Sequence, residues 1–240
     1  MTALAVIPAR WASSRFPGKP LAEIAGRAMI AHVWDRVAKA QAIHAAVVAT
    51  DDARIADYCR DHGMDVVMTA PDHETGTDRL AEVARARSAD IYVNVQGDEP
   101  LIDPAAIDAV AACLQAGLAR GIDVSTGYIQ GATPQQEQSP SVVHLVPTLD
   151  GCVLTFSRLA VPLAFREPFI RNVHVGLYAF TGAALARFAA WERGPVERAE
   201  SIELMRFLEH GERIACVPVP PGSIGVDHLE DIAKVEALLK

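Results

Sequence analysis

The chain has 240 residues, half of them hydrophobic and 22% charged, with a formal net charge of −8. That length suits one large α/β domain, the composition is ordinary for a globular protein, and the acidic balance disfavours nucleic acid as a partner. No apolar run approaches the ~20 residues of a membrane span and the N-terminus lacks a signal-peptide pattern, so a cytoplasmic protein with no membrane partner is expected. Cys59, Cys113, Cys152 and Cys216 form no CxxC pair and no zinc spacing, and read as inert small hydrophobes.

Ala3 to Ile7 is a short unbroken apolar run of the kind that forms a buried parallel strand, and it ends at Pro8. A loop follows that is rich in small residues and carries three cations, Arg10, Arg15 and Lys19. Gly18, Ala12, Ser13 and Ser14 allow a ligand close to the backbone, whose N–H groups can cradle phosphate oxygens. Lys19 is one of only four lysines in the chain. A basic loop at the carboxyl end of the first strand is where open α/β sheets bind ligands, and it reads as a triphosphate cradle. It is neither a Walker A loop nor a GxGxxG turn.

From about Ala28 to Ala42 the apolar spacing predicts a helix, then Ala45 to Ala49 a second strand. Asp51 reads as the N-cap of a helix over Ala53 to His62, with a ligand contact as its other reading, and Gly63 as that helix's C-terminal stop. Asp65 to Met68 predicts a third strand. The polar PDHETGTDRL stretch leads into a helix over Leu80 to Arg87, with Thr77 or Asp78 as cap. Ile91 to Asp98 predicts a fourth strand, and a carboxylate such as Asp98 after a glycine at a strand's end can hold Mg²⁺ against phosphates. A helix over Pro104 to Ala119 follows.

The stretch from Gly121 to Pro168 is less regular, with strands predicted over Asp123 to Tyr128, Val142 to Val146 and Cys152 to Phe156. Asn172 to Phe180 alternates like a strand and sets His174, Gly176 and Tyr178 on one polar face, toward a site or an interface. Glu197 to His210 predicts one amphipathic helix, Ile214 to Val219 a last strand, and Leu229 to Leu238 a terminal helix after Gly225-Val226-Asp227. Strands alternating with helices imply an α/β fold: a mostly parallel, doubly wound sheet with helices on both faces.

Four segments carry a resemblance that spans nearly the whole chain. PARWASSRFPGKPL is similar to the nucleotide-binding signature of the CMP-sugar synthetases, above all the 3-deoxy-manno-octulosonate (Kdo) cytidylyltransferases; VNVQGDEP and GVDHLED resemble two further segments of that family, and DHETGTDRL a fourth. The resemblance implies a nucleotidyltransferase-type, Rossmann-like sheet with a β-rich acceptor and dimerisation insertion at about 121–195 within a single 1–240 domain. It implies CMP transfer from CTP to an acidic sugar, with Mg²⁺ as cofactor, in a homodimer that makes lipopolysaccharide precursors. On it, Arg10, Arg15, Lys19 and Asp98 are catalytic, Asp98 and Asp227 hold the metal, and Pro8, Ala9, Ser14, His73, Thr75, Gly76, Thr77 and Gln96 contact the nucleotide.

His144, Arg158, His174, Tyr178 and Glu203 correspond to acceptor-side positions. There the chain departs from the family: Val143-His144-Leu145-Val146 stands for a lysine-bearing KVV run, Leu204 for a glutamine, and Leu163 for a tryptophan. The acceptor therefore stays open between Kdo, a related 2-keto-3-deoxy sugar acid and a small phosphonate such as phosphonoformate, with a CTP-binding regulatory protein lacking turnover as the alternative of another class. No GxSxG elbow or other nucleophile motif is present.

Overall fold

The computed structural model describes residues 1–12, 16–222 and 225–239. In chain order the elements are β1 (Ala3–Ala9), a 3-10 turn (Lys19–Leu21), β2 (Glu23–Ile24), β3 (Arg27–Ala28), α1 (Met29–Val37), β4 (Ala45–Thr50), α2 (Ala53–Asp61), β5 (Val66–Met68) and α3 (Gly76–Ala86). There follow β6 (Ile91–Val95), α4 (Pro104–Leu118), β7 (Val124–Gln130), α5 (Pro134–Gln138), β8 (His144–Pro147), β9 (Val153–Ser157) and β10 (Asn172–Phe180). The chain closes with α6 (Gly182–Ala190), α7 (Pro195–Glu200), α8 (Met205–Glu209), β11 (Ala215–Pro218) and α9 (Asp231–Leu239).

The main sheet runs β11-β7-β10-β6-β1-β4-β5, with the β8–β9 hairpin attached beside β10. β1 is parallel to both β4 and β6, β4 to β5, and β11 to β7; β10 is antiparallel to β6 and β7. Alternation along β1 divides its side chains between two cores. Ala3, Ala5, Ile7 and Ala9 pack with α1, α2 and α4, whereas Leu4 and Val6 pack with α3, α6 and α8. Both faces are thus covered, which is why this strand is apolar without a break.

Several local expectations are corrected. Asp52 rather than Asp51 caps α2, accepting from the Arg54 N–H at 2.9 Å. Thr75 caps α3, two or three residues earlier than predicted, with Asp78 as the reciprocal member of its capping box. β6 ends at Val95, so Gln96, Gly97 and Asp98 lie beyond the strand in the turn. The single helix expected over 197–210 is two short ones, because Ser201 sits in the left-handed region at φ 54° and stops α7. β10 runs between β6 and β7 as an interior strand.

Candidate active site

The first cavity, about 440 Å³, opens at the carboxyl ends of β1 and β6. Of the residues singled out in the sequence, Pro8, Ala9, Arg10, Lys19, His73, Thr75, Gly76, Gln96, Asp98 and Asp227 line it. Ser14 and Arg15 lie outside the described residues. Thr77 is a correction: as the second residue of α3 it turns into the protein, fully buried, and lines neither this cavity nor the next.

Two glycines set the cavity's shape. A Cβ on Gly97 would stand 2.7 Å from the Pro8 carbonyl oxygen, so only glycine lets the 96–99 turn lie this close to the end of β1. Gly18 has φ +73° and its N–H donates to the Trp11 carbonyl at 3.0 Å, folding the cradle loop back on itself. The Lys19 ammonium is 2.5 Å from an Asp98 oxygen and 3.8 Å from Asp227. The two carboxylates are brought together by backbone as well, since the Val226 N–H donates to the Asp98 carbonyl at 2.9 Å.

A second cavity of about 390 Å³ adjoins the first. Arg10, Thr75, Gly76 and Gln96 line both, so the two share one wall. Beyond that wall the second cavity is lined by Arg158, His174, Tyr178 and Glu203, four of the five acceptor-side positions. His144 is the fifth and is corrected: β8 turns it into the core, fully buried, with Nδ1 at 3.3 Å from the Asn172 carbonyl, and its neighbour Val143 lines the cavity instead. Leu204 is likewise wholly buried, while Leu163 stands out on the surface.

Electrostatics fix the protonation of these groups. Thr126 donates its hydroxyl proton to the Leu177 carbonyl at 3.0 Å, so its oxygen must accept from His174 Nε2 at 2.9 Å, which selects the Nε2–H tautomer. Burial holds the His174 pKa down at about 3, leaving a neutral ring stacked on Tyr178 with centroids 5.5 Å apart. Burial, together with the carboxylates of Glu203, Glu99 and Asp98, pushes the Tyr178 phenol well above its usual range, so it is a hydrogen-bond donor at neutral pH. Burial also raises Glu203, against the lowering pull of the Thr77 N–H that donates to it at 3.0 Å. Arg158 is anchored rather than loose, donating from Nη1 to the Pro140 carbonyl at 2.9 Å and from its backbone N–H to Glu200 at 2.8 Å.

Sequence reading missed Arg79, a buried arginine in the wall of the first cavity that donates to Thr69 and faces Asp51 at 3.6 Å. The signal was available: Arg79 lies three residues after Gly76, one helical turn on, and so shares its face. Glu74, Arg193 and Glu197 in the second cavity were also missed, because their convergence depends on how α7 packs.

Paired carboxylates next to a cationic, phosphate-sized cradle fit a hard divalent cation. Oxygen is the donor such ions prefer, and Mg²⁺ is characteristically held by one or two carboxylates with water and substrate phosphates completing the shell. Among the described residues no cluster of three or more metal-ligating side chains forms. No helix of the described residues is long and apolar enough to cross a membrane.

Comparison with known proteins agrees with this geometry. The chain is 45% identical to a 3-deoxy-manno-octulosonate cytidylyltransferase of Syntrophotalea carbinolica, covering 100% of this chain and 99% of the relative. It is 47% identical to one of Myxococcus xanthus, covering 99% and 96%. The solved structure of a CMP:2-keto-3-deoxy-manno-octonic acid synthetase complexed with CTP superposes with a TM-score of 0.94 at 36% identity, covering 100% of this chain and 98% of that one. A cytidylyltransferase of Leptospira borgpetersenii, at TM-score 0.65 and 17% identity over 99% and 86%, shares the fold. The cytidylyltransferase family profile matches residues 4–214, and the chain belongs to that family.

Proposed function

We propose that the protein transfers CMP from CTP to Kdo, releasing pyrophosphate. The observation that carries this is the shared wall: a cationic cavity with paired carboxylates opens, across Arg10, Thr75, Gly76 and Gln96, onto a second cavity lined by arginine, histidine, tyrosine and glutamate. The first suits a nucleoside triphosphate and the second a polyhydroxylated acid, and the wall is where their reacting atoms would meet.

In this reading Arg10 and Lys19 bind the phosphates, with Arg79 adding buried positive charge from the cavity wall. Pro8, Ala9, His73, Thr75, Gly76 and Gln96 would border the nucleoside. Asp98 and Asp227 would hold Mg²⁺, which when bound offsets charge on the phosphates. Arg158 and the protonated Tyr178 offer donors to the acceptor carboxylate and hydroxyls, and Glu203 offers an acceptor. The acceptor hydroxyl oxygen attacks the α-phosphorus; the bond from that phosphorus to the bridging oxygen breaks; pyrophosphate leaves with the bonding pair and the hydroxyl proton is lost to solvent. Catalysis by this chain is therefore positioning and charge stabilisation, without a covalent enzyme intermediate.

We further infer a homodimer built on the loop after β9. Leu159, Leu163, Phe165 and Ile170 are all largely exposed there, with Phe165 at 82%, in a protein whose other large apolar side chains are mostly inside. A second copy is the occupant that fits best, since the resemblance implies a homodimer and the patch closes the less regular stretch from Gly121 to Pro168.

Pyrophosphate release with CTP and Mg²⁺, and identification of the nucleotide product, test the function. Kdo should support turnover and phosphonoformate should not. Absence of turnover with Kdo would overturn the proposal.

A further inference from the structure

The N-terminal turn of α3, which borders the first cavity, is gripped by two side chains from the segment that borders the second. Glu203 accepts from the Thr77 N–H at 3.0 Å, and Arg206, three residues on, reaches Asp78 with Nη1 at 3.3 Å. Asp78 is the member of the capping box that fixes Thr75, accepting through its other oxygen from the Thr75 N–H at 3.1 Å and hydroxyl at 2.7 Å. A line of contacts therefore runs from Arg206 through Asp78 to Thr75, a residue of the wall both cavities share.

Arg206 is itself locked. It is 3% exposed, and Nε and Nη2 donate to both oxygens of Glu197 at 2.8 and 2.7 Å. Nη1 also donates to the Phe188 carbonyl at 3.0 Å, and the guanidinium lies 3.7 Å over the Phe188 ring. Glu197 is fully buried and takes a third bond from Arg193 at 3.1 Å, and Arg193 in turn reaches Glu74 beside Thr75 at 2.8 Å. The same segment thus touches the 74–78 turn at both ends. α7 is held for this role by Glu209, whose carboxylate accepts from the Val196 and Glu197 N–H groups at 2.8 and 2.9 Å, in space left free because residue 194 is glycine.

A buried ion pair is a poor way to gain stability, since a well-packed apolar pair often serves as well or better. What it provides is a fixed geometry. We propose that Arg206, Glu197 and Asp78 are positioning residues that couple the two cavities, so that acceptor bound against Glu203 tightens the nucleotide site, and by linkage nucleotide tightens the acceptor site equally. This rests on the assignment of the second cavity to the acceptor. Arg206 and Asp78 line neither cavity and act through Thr75, while Glu197, buried where it borders the second cavity, acts by holding Arg206.

The test measures binding of a CTP analogue with a methylene group between its α and β phosphorus atoms, with Mg²⁺, in the presence and absence of Kdo. In the wild type, Kdo should strengthen analogue binding by about fivefold or more. Arg206→Met removes the fork, and Asp78→Asn keeps an oxygen for Thr75 while turning a donor toward the guanidinium. Both should reduce the coupling to within twofold of unity, and Asp78→Asn should do so with little change in melting temperature, so it carries the test if Arg206→Met does not fold. Turnover of Kdo by the wild type is measured alongside. Turnover without coupling, or coupling that survives in a folded Asp78→Asn protein, overturns this inference alone; absence of turnover overturns the functional reading on which it rests.

Discussion

Replacing Gly97 by alanine is the smallest change that should disable the site. The Gly97 φ is unremarkable, so the penalty comes from contact alone: the new Cβ would lie 2.7 Å from the Pro8 carbonyl oxygen and 3.6 Å from Ile7 and Ile30 side-chain carbons. The nearest atom is backbone of the central strand and cannot swing away, so the 96–99 turn must move out by about 0.7 Å to reach ordinary contact distance. Asp98 is the next residue, held 2.5 Å from Lys19, and moves with it. Misplacement on that scale costs roughly 10- to 100-fold in kcat/KM, about 1.4–2.7 kcal/mol of transition-state stabilisation. Continuous pyrophosphate release with CTP, Mg²⁺ and Kdo is the assay. Gly182→Ala is the control, because its Cβ would meet only Tyr92 at 3.6 Å, and at the first position of α6 it should be neutral or stabilising by up to ~1 kcal/mol. If Gly97→Ala retained kcat/KM within threefold of wild type, the claim that this contact sets the position of Asp98 would be refuted.

Three further outcomes are expected. Asp98→Asn and Asp227→Asn should each abolish Mg²⁺-dependent turnover while leaving the circular dichroism spectrum unchanged, and full activity in either would remove that residue from the metal assignment. His174 keeps its proton off in the folded state down to about 3, whereas the unfolded chain takes one up near 6.5; stability should therefore fall as pH drops through that window. The loss attributable to this ring is about 2 kcal/mol between pH 6.5 and 5, and urea unfolding of His174→Phe should lack it; an equal loss in both proteins would contradict the assignment. Phe165→Glu should convert a dimer to a monomer by light scattering, and an unchanged mass would exclude this loop from the interface.

The sheet was legible because its strands are short, apolar and separated by capped helices. The periodicity of 3–7, 45–49 and 91–95 requires burial on both faces, and that alone fixes a layered α/β order. Boundaries failed where a single residue's backbone decided them. Ser201 in the left-handed region splits a helix that hydrophobic spacing reads as one, and nothing in the sequence marks a serine for that conformation. Ala25 and Gly26, both at positive φ, make a two-residue hairpin between β2 and β3 that an Ala-Gly pair announces only weakly. The nucleotide side was readable because its residues come from contiguous loops at strand ends. The buried Glu197–Arg206 pair was not, since two charged residues nine apart look like a solvated helix face until α7 and α8 fold against each other.

The departures from the Kdo family pattern can be weighed by where they fall. Selectivity is set by groups that touch the ligand, and a site built of buried donors and acceptors rejects ligands that leave them unpaired. His144 and Leu204 both turn into the core and Leu163 stands on the exposed loop, so none of these three borders the second cavity; within that region only Val143 does. The residues that do form its wall, Arg158, His174, Tyr178 and Glu203, are the ones the resemblance carries over. A small phosphonate would satisfy the cation and leave much of a cavity of about 390 Å³, with its phenol, imidazole and carboxyl, uncontacted. A polyhydroxylated acid has a carboxylate for Arg158 and hydroxyls for the other three. The sequence differences thus change the packing behind the proposed acceptor cavity and the surface beside it, while the residues lining that cavity keep donors and acceptors suited to a sugar acid.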